Sequence, residues 1–236
     1  MLGNFATRFL LKKSKMQRAV AKLLTDMPPH VMESYKILRT NLLFALATTK
    51  NKAVVISSSS PFEGKSSTCA NLAIAMAQTG SKVILIDADL RKPTQHRILK
   101  CQNNTGLATI LAGFNELDEV IVQNVKLNLD IITSGPTPPN PSELLGSEQM
   151  SKLIDTLNNR YDYIFIDTPP INIVTDAIIL SRIAAGVVLV TRQGQSAYDD
   201  LTKAVSSVEF AGASILGFVI NCIKEKSTRY GKYTYE

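Results

Sequence analysis

Six short runs of branched aliphatic residues recur along the chain: AVVISS (53–58), VILIDAD (83–89), LDIITSG (129–135), YIFIDTPP (163–170), GVVLVTRQG (186–194) and ILGFVINC (215–222). They are apolar at nearly every position rather than at every second one. That is the pattern of strands covered on both faces, and so of a parallel sheet. Helical patterns fill the gaps. Residues 66–79 set Ala70, Ala73, Ile74 and Ala77 on one face and stop at Gly80, and Ser147 to Leu157 and Tyr198 to Phe210 repeat the plan. Strand alternating with helix predicts a doubly wound α/β fold with its ligand sites beyond the C-terminal ends of the strands.

The first run breaks into a polar loop and passes directly into the first helix: VVISSSSPFEGKSSTCANLAIAMA. A strand that stops in a tight loop at a helix start presents backbone N–H groups at the positive end of the helix, an arrangement that suits a polyphosphate. The phosphate-loop pattern GxxxxGK[ST] is met by Ser59-xxxx-Gly64-Lys65-Ser66, with only the first glycine changed. The expected fold is therefore a mostly parallel sheet of P-loop NTPase type flanked by helices. Residues Ser59, Ser60, Pro61, Phe62, Glu63, Gly64, Lys65, Ser66 and Ser67 are its expected nucleotide-binding stretch. Gly64 lets the backbone approach the β-phosphate, Lys65 reaches the β and γ oxygens, and the Ser66 hydroxyl binds Mg²⁺. Phe62 and Ser59 stand where glycine would adopt the loop more easily.

Two further elements end in acids. ILIDADLRKP carries Asp87 and Asp89 two apart at a strand end, where side chains share a face and can divide metal binding and proton acceptance. Alone, such a pair serves loop starts and helix caps as readily. IFIDTPP delivers Asp167 from an apolar strand, as a Walker B element does to hold Mg²⁺ directly or through water. PTPPNPSELL (136–145) is a proline-rich connection with Ser142 a candidate helix cap.

Charge narrows the partners. The chain has a net charge of +6, with 26 Lys and Arg against 20 Asp and Glu. Arg8, Lys12, Lys13, Lys15, Arg18 and Lys22 fall in the first 24 residues without an acid, so the remainder is balanced and a nucleic-acid surface on the folded domain is not expected. The leader reads either as a basic amphipathic helix lying on an anionic membrane or as a solvated helix without a target. Cys69, Cys101 and Cys222 are widely separated and fit neither zinc spacing nor a disulfide framework, which suits a reducing compartment. No apolar run approaches the length of a membrane span, and no signal-peptide core is present, so a cytosolic location is expected.

The phosphate loop, IDADLRKP, PPNPSELL, FIDTPP and a terminal tyrosine cluster, in this order over residues 33–236, resemble the bacterial tyrosine kinase family of capsule and exopolysaccharide systems. The resemblance implies a protein-tyrosine kinase using ATP and Mg²⁺ through Walker A, A′ and B motifs. Carried over by motif, Lys65 and Ser66 hold phosphates and metal, Asp89 and Asp167 assist with Mg²⁺, and Asp87 is the base for the tyrosine hydroxyl. Arg91 is given a supporting charge, and Asp87 and Asp89 could exchange roles.

The resemblance also implies that Tyr230, Tyr233 and Tyr235, three of the chain's seven tyrosines, are phosphorylated between subunits. Fourteen residues after Cys222 span about 46 Å at about 3.3 Å each, enough to reach a neighbouring site. Glu33, Lys36 and Arg39 stand at the positions of the family's Glu-x-x-Arg-x-x-Arg motif in ring-shaped oligomers, with lysine replacing one arginine and losing its bidentate fork. Further implied partners are a membrane-protein activator, the cytosolic tail of a polysaccharide chain-length regulator, which recruits the kinase to the inner face of the cell membrane, together with a cognate phosphatase and other protein substrates. The domain division expected is a basic leader or activator-like segment (1–30), a kinase domain (31–223) and a tyrosine-rich tail (224–236). The rivals are a partitioning or cell-division ATPase, whose extra early loop lysine would stand at Ser60, and a nucleotide-binding scaffold of a polysaccharide export complex.

Overall fold

The computed structural model describes residues 16–23, 26–124 and 127–223. In chain order these form helices α1 (residues 16–23) and α2 (Pro29–Ala45), strand β1 (Ala53–Ser58), helix α3 (Lys65–Ala77), strand β2 (Val83–Asp87), helices α4 (Gln95–Ile98), α5 (Leu107–Leu111) and α6 (Leu117–Val120), and strands β3 (Val122–Asn124) and β4 (Leu129–Ile132). Helices α7 (Pro141–Leu145) and α8 (Glu148–Asn158), strand β5 (Tyr163–Asp167), helix α9 (Asp176–Ser181), strand β6 (Gly186–Arg192), helix α10 (Tyr198–Phe210) and strand β7 (Ile215–Asn221) complete it.

The strands make one seven-stranded sheet in the order β3-β4-β2-β5-β1-β6-β7. Every pairing is parallel except the edge pair β3–β4. The six aliphatic runs are the six parallel strands. The seventh, β3, has only three residues, too short and too polar to stand out in the sequence.

Side chains alternate across the sheet and divide the core in two. Val54, Ile56, Val83, Leu85, Leu129, Ile131, Phe165, Val188 and Val190 face α1, α2 and α3. Val55, Ile84, Ile86, Ile132, Ile164, Ile166, Val187 and Leu189 face α7 to α10. The same alternation aims the strand-end acids. Asp87 follows Val83 and Leu85, and Asp167 follows Phe165, so both carboxylates emerge on the α3 side of the sheet.

The described part of the basic leader is folded against this layer. Met16 and Val20 of α1 are fully buried beside Leu42 and Leu46. Among the described residues, no helix is long and apolar enough to cross a membrane.

Ser142 does not cap a helix. Asn140 is the N-cap residue of α7 and Pro141 takes the first helical position, so the cap lies two residues before the serine. Ser142 instead lies inside the helix and bonds to Asp176.

Candidate active site

Strand β1 ends centrally, between β5 and β6, and the chain turns there through residues 59–64 into α3. Two left-handed residues make the turn, Phe62 with φ 64° and Gly64 with φ 89°. Glycine is required at the second of these. Its positive φ disfavours any side chain, and a Cβ there would come within 2.0 Å of Asn221 Nδ2. Phe62 bears the strained conformation and is 85% exposed.

The loop is braced from beneath. Glu63 is buried, and its carboxylate accepts from Ser59 Oγ at 3.1 and 3.2 Å, from the Ser60 N–H at 2.9 Å and from Ser196 Oγ on the loop after β6. Asn221 Nδ2 donates to the Glu63 carbonyl at 3.2 Å, and Arg192 Nη1 to the Phe62 carbonyl at 3.2 Å. The ends of β6 and β7 thus hold the loop's shape. The Glu63 carboxylate is thus buried and engaged by donors of the protein.

Helix α3 begins without a side-chain cap and without an acid in its first turn, which leaves its terminal N–H groups and positive end available to an anion. Lys65 stands at this end. Its ammonium lies 3.1 Å from Asp89 Oδ2, 3.9 Å from Asp167 Oδ1 and 3.1 Å from Ser66 Oγ. Burial works against the charge on Lys65, but the Asp167 and Asp89 carboxylates outweigh it and raise its pKa above the ordinary lysine value.

Asp87 and Asp167 are register partners on adjacent strands. Asp87 Oδ2 accepts the Thr94 and Gln95 N–H groups at 3.1 and 2.9 Å and so caps α4, while its Oδ1 has no partner. Asp167 Oδ2 accepts from Gln95 Nε2 at 2.8 Å, and its Oδ1 accepts no hydrogen bond. Burial, followed by the charge of Asp167, pushes Asp87 up to about 8 against the effect of its N–H bonds. Burial likewise raises Asp167, with Lys65 and Gln95 opposing. Asp89 accepts the Lys92 N–H at 2.9 Å, closing a turn.

Arg91 points away from this centre. Its Nε and Nη2 bond to the two oxygens of buried Asp176 at 3.0 and 3.2 Å, and Nη2 also reaches Ser142 Oγ at 2.8 Å. Ser142 Oγ in turn donates to Asp176 Oδ1 at 2.6 Å. The guanidinium thereby ties the loop bearing Asp89 to α7 and α9.

The residue set fits a hydrated magnesium ion. Two buried carboxylate oxygens lack hydrogen-bond donors, and a hydroxyl, Ser66, stands beside the lysine. Among the described residues, no three His, Cys, Asp or Glu side chains form a complete metal cluster. Mg²⁺ characteristically takes one or two protein oxygens and completes its octahedron with water and phosphate.

The structure brings Lys65, Ser66, Asp87, Asp89 and Asp167 to one end of the sheet. It does not bring Glu33, Lys36 and Arg39 together as free charges. Glu33 and Lys36 pair with each other at 3.0 Å on the exposed face of α2, while Arg39 Nη1 donates to the Ala75 carbonyl of α3 at 3.0 Å. Tyr230, Tyr233 and Tyr235 lie outside the described residues. Sequence reasoning missed Gln95 and Asp176. Asp176 in the first turn of a helix was visible only as an ordinary helix-start acid, and nothing local marks Gln95.

A phosphate loop at the end of a central parallel strand, with strand-end acids beside it, defines a P-loop nucleotide-binding protein. Residues 51–212 match the family described as AAA domain. The tyrosine-protein kinase YwqD of Bacillus subtilis is 41% identical over 221 residues, 93% of this chain and 93% of the relative. Among solved structures, the chimerical protein CapA2B2 superposes with a TM-score of 0.82 at 38% identity, covering 88% of this chain and 91% of the other. The kinase domain of the Escherichia coli tyrosine kinase ETK gives 0.80 at 38%, covering 86% and 80%. The chain belongs to the bacterial tyrosine-protein kinases and is an enzyme of that class.

Proposed function

We propose that the protein transfers the γ-phosphoryl group of ATP to Tyr230, Tyr233 and Tyr235 of a neighbouring subunit, and to tyrosines of other proteins, in control of capsule or exopolysaccharide synthesis. Lys65 and the N–H groups at the start of α3 bind the phosphates. Ser66, Asp89 and Asp167 would hold Mg²⁺, which supplies charge neutralisation at the β and γ oxygens. Asp87, through its free Oδ1, takes the proton of the acceptor hydroxyl as the tyrosine oxygen bonds to the γ-phosphorus and ADP leaves. Such a transfer asks mainly for positioning and charge neutralisation. Residues 31–223 form the kinase unit in this reading, 224–236 the acceptor tail and 1–30 the leader. Glu33, Lys36 and Arg39 contribute to a ring of subunits. A membrane-protein activator brings the enzyme to the inner face of the membrane, and a phosphatase resets it.

The observation that carries this reading is the Lys65 ammonium, within 3.1 Å of Asp89 and 3.9 Å of Asp167 at an uncapped helix start. Lys65→Met, assayed as purified protein with γ-labelled ATP, Mg²⁺ and activator, should show no phosphotyrosine where the parent is labelled. Unchanged labelling would refute the assignment. In the parent, free phosphate without label on tyrosine would mark an ATPase switch, and neither product a scaffold. Mass spectrometry of the C-terminal peptide identifies the acceptors.

A further inference from the structure

Gln95 is fully buried at the start of α4, between the phosphate-binding helix and the strand-end acids. Its side-chain amide has two N–H groups, and both are engaged. Nε2 donates to Asp167 Oδ2 at 2.8 Å and to the Ser66 carbonyl at 2.9 Å. These two acceptors fix the amide's orientation, because a flip would place Oε1 against a carboxylate oxygen and a carbonyl oxygen. Oε1 is left buried with no donor. One planar group thus clamps Asp167 on β5 to the first turn of α3 and presents an unanswered acceptor beside them.

A buried acceptor without a donor is costly and calls for a specific explanation. Two more oxygens of the same cluster, Asp87 Oδ1 and Asp167 Oδ1, accept no hydrogen bond, although the latter lies 3.9 Å from the Lys65 ammonium. Asp167 Oδ1 and Gln95 Oε1 are answered together by a ligand carrying both positive charge and O–H donors, which leaves Asp87 Oδ1 to the acceptor hydroxyl. A hydrated divalent cation has both. An organic ammonium would serve a carboxylate, but the Lys65 ammonium already stands 3.9 Å from Asp167 Oδ1.

We propose that Gln95 is a positioning residue of the cation site: it holds Asp167 in place through Nε2, and Oε1 receives a hydrogen bond from the cation's hydration shell. The inference rests on the magnesium-nucleotide reading of this site. Partners of metal ligands are worth about 10- to 100-fold in metal affinity.

The test is equilibrium binding of a fluorescent ADP analogue to the full chain, with and without MgCl₂, for the parent, Gln95→Leu and Gln95→Asn. The asparagine amide is one methylene too short to span Asp167 and Ser66, and it keeps the site polar should the leucine variant not fold. The parent should bind more tightly with Mg²⁺. The variants should lose about tenfold of that tightening while their Mg²⁺-free affinity stays within about twofold of the parent. Tightening equal to the parent's overturns the role of Gln95. Equal losses with and without Mg²⁺ reduce it to a brace for the phosphate loop and also overturn the proposal. A parent without any Mg²⁺ effect overturns the underlying reading of the site instead.

Discussion

Asp87 and Asp167 stand side by side as register partners of β2 and β5, both on the α3 side of the sheet, and each has one carboxylate oxygen without a hydrogen-bond donor. Two buried like charges in adjacent register destabilise each other, so the ligand-free protein keeps a proton here longer than an ordinary carboxylate would. The pairing follows from strand alternation alone. The penalty it carries is the expected cost of a site completed by a cation.

That cost is measurable as stability against pH. Below about pH 4, Asp87 is protonated in both the folded and the unfolded chain. Between there and its folded value of about 8, the unfolded chain has lost the proton and the folded one retains it. Stability therefore falls as pH rises through this window, at a limiting slope of about 1.4 kcal/mol per pH unit for one full proton. The shared titration with Asp167 softens that slope. Asp87→Asn keeps an oxygen for the Thr94 and Gln95 N–H groups but removes the charge. Urea unfolding of metal-free protein should show the variant gaining on the parent from pH 4 to 8 and holding a constant lead above. Parallel curves would contradict the account.

The buried Glu63 carboxylate makes a second prediction. Glu63→Ala leaves the Ser60 N–H and the Ser59 and Ser196 hydroxyls without their common acceptor, while Lys65, Ser66 and the acids are untouched. Each loss of a buried partner costs about 1 to 3 kcal/mol, some of which appears as loop disorder. Nucleotide affinity should fall by about tenfold, corresponding to about 1.4 kcal/mol of loop ordering supplied by the ligand. Glu63→Gln, which retains one acceptor oxygen, should fall between. A variant binding nucleotide as tightly as the parent would show that the bracing is irrelevant to the site.

Much of this arrangement was legible beforehand, for reasons that particular residues make plain. Val54 to Ile56 and Ile164 to Ile166 are covered on both faces, so their strands appear as uninterrupted aliphatic runs, and a strand's last residue is necessarily at the ligand end of a parallel sheet. Lys65, Asp87 and Asp167 could be assigned to one neighbourhood on that basis. Val122–Asn124 could not be seen as a strand, because an edge strand of three residues carries no burial pattern. Gln95 acts across 72 residues of sequence on Asp167, and such a contact exists only once β2 and β5 are neighbours. Ser142 was misjudged because a local capping preference competes with Pro141 at the first helical position and with a distant carboxylate, Asp176.

The Arg91–Asp176 pair predicts an asymmetry between variants. Asp176 is fully buried and depends on Arg91 and Ser142 for its hydrogen bonds. Arg91→Ala strands a buried charge and should cost about 2 to 4 kcal/mol, below the full penalty for a buried pair because the arginine side chain is 38% exposed. Ser142→Ala removes one hydroxyl and should cost about 1 to 2 kcal/mol. Because Arg91 ties down the loop bearing Asp89, its loss should also lower kcat more than it raises the KM for ATP. Denaturant titration and steady-state kinetics check both, and equal effects of the two substitutions would count against the latch.

The leader helix supplies the last prediction. Met16 and Val20 have no exposed surface and belong to the same apolar cluster as Leu42 and Leu46, so α1 is part of the fold's second layer despite its basic character. Burying such side chains is worth about 1.5 to 3 kcal/mol each, and truncating them leaves cavities as well. Met16→Ala should therefore cost about 2 to 4 kcal/mol in chemical denaturation. Ala21→Ser on the exposed side of α1 should cost less than about 1 kcal/mol. A leader bound only to membrane would show no ranking in solution, with neither substitution affecting unfolding. If Met16→Ala unfolds at the parent's urea concentration, α1 does not contribute to the domain's stability and its packing against Leu42 is energetically idle.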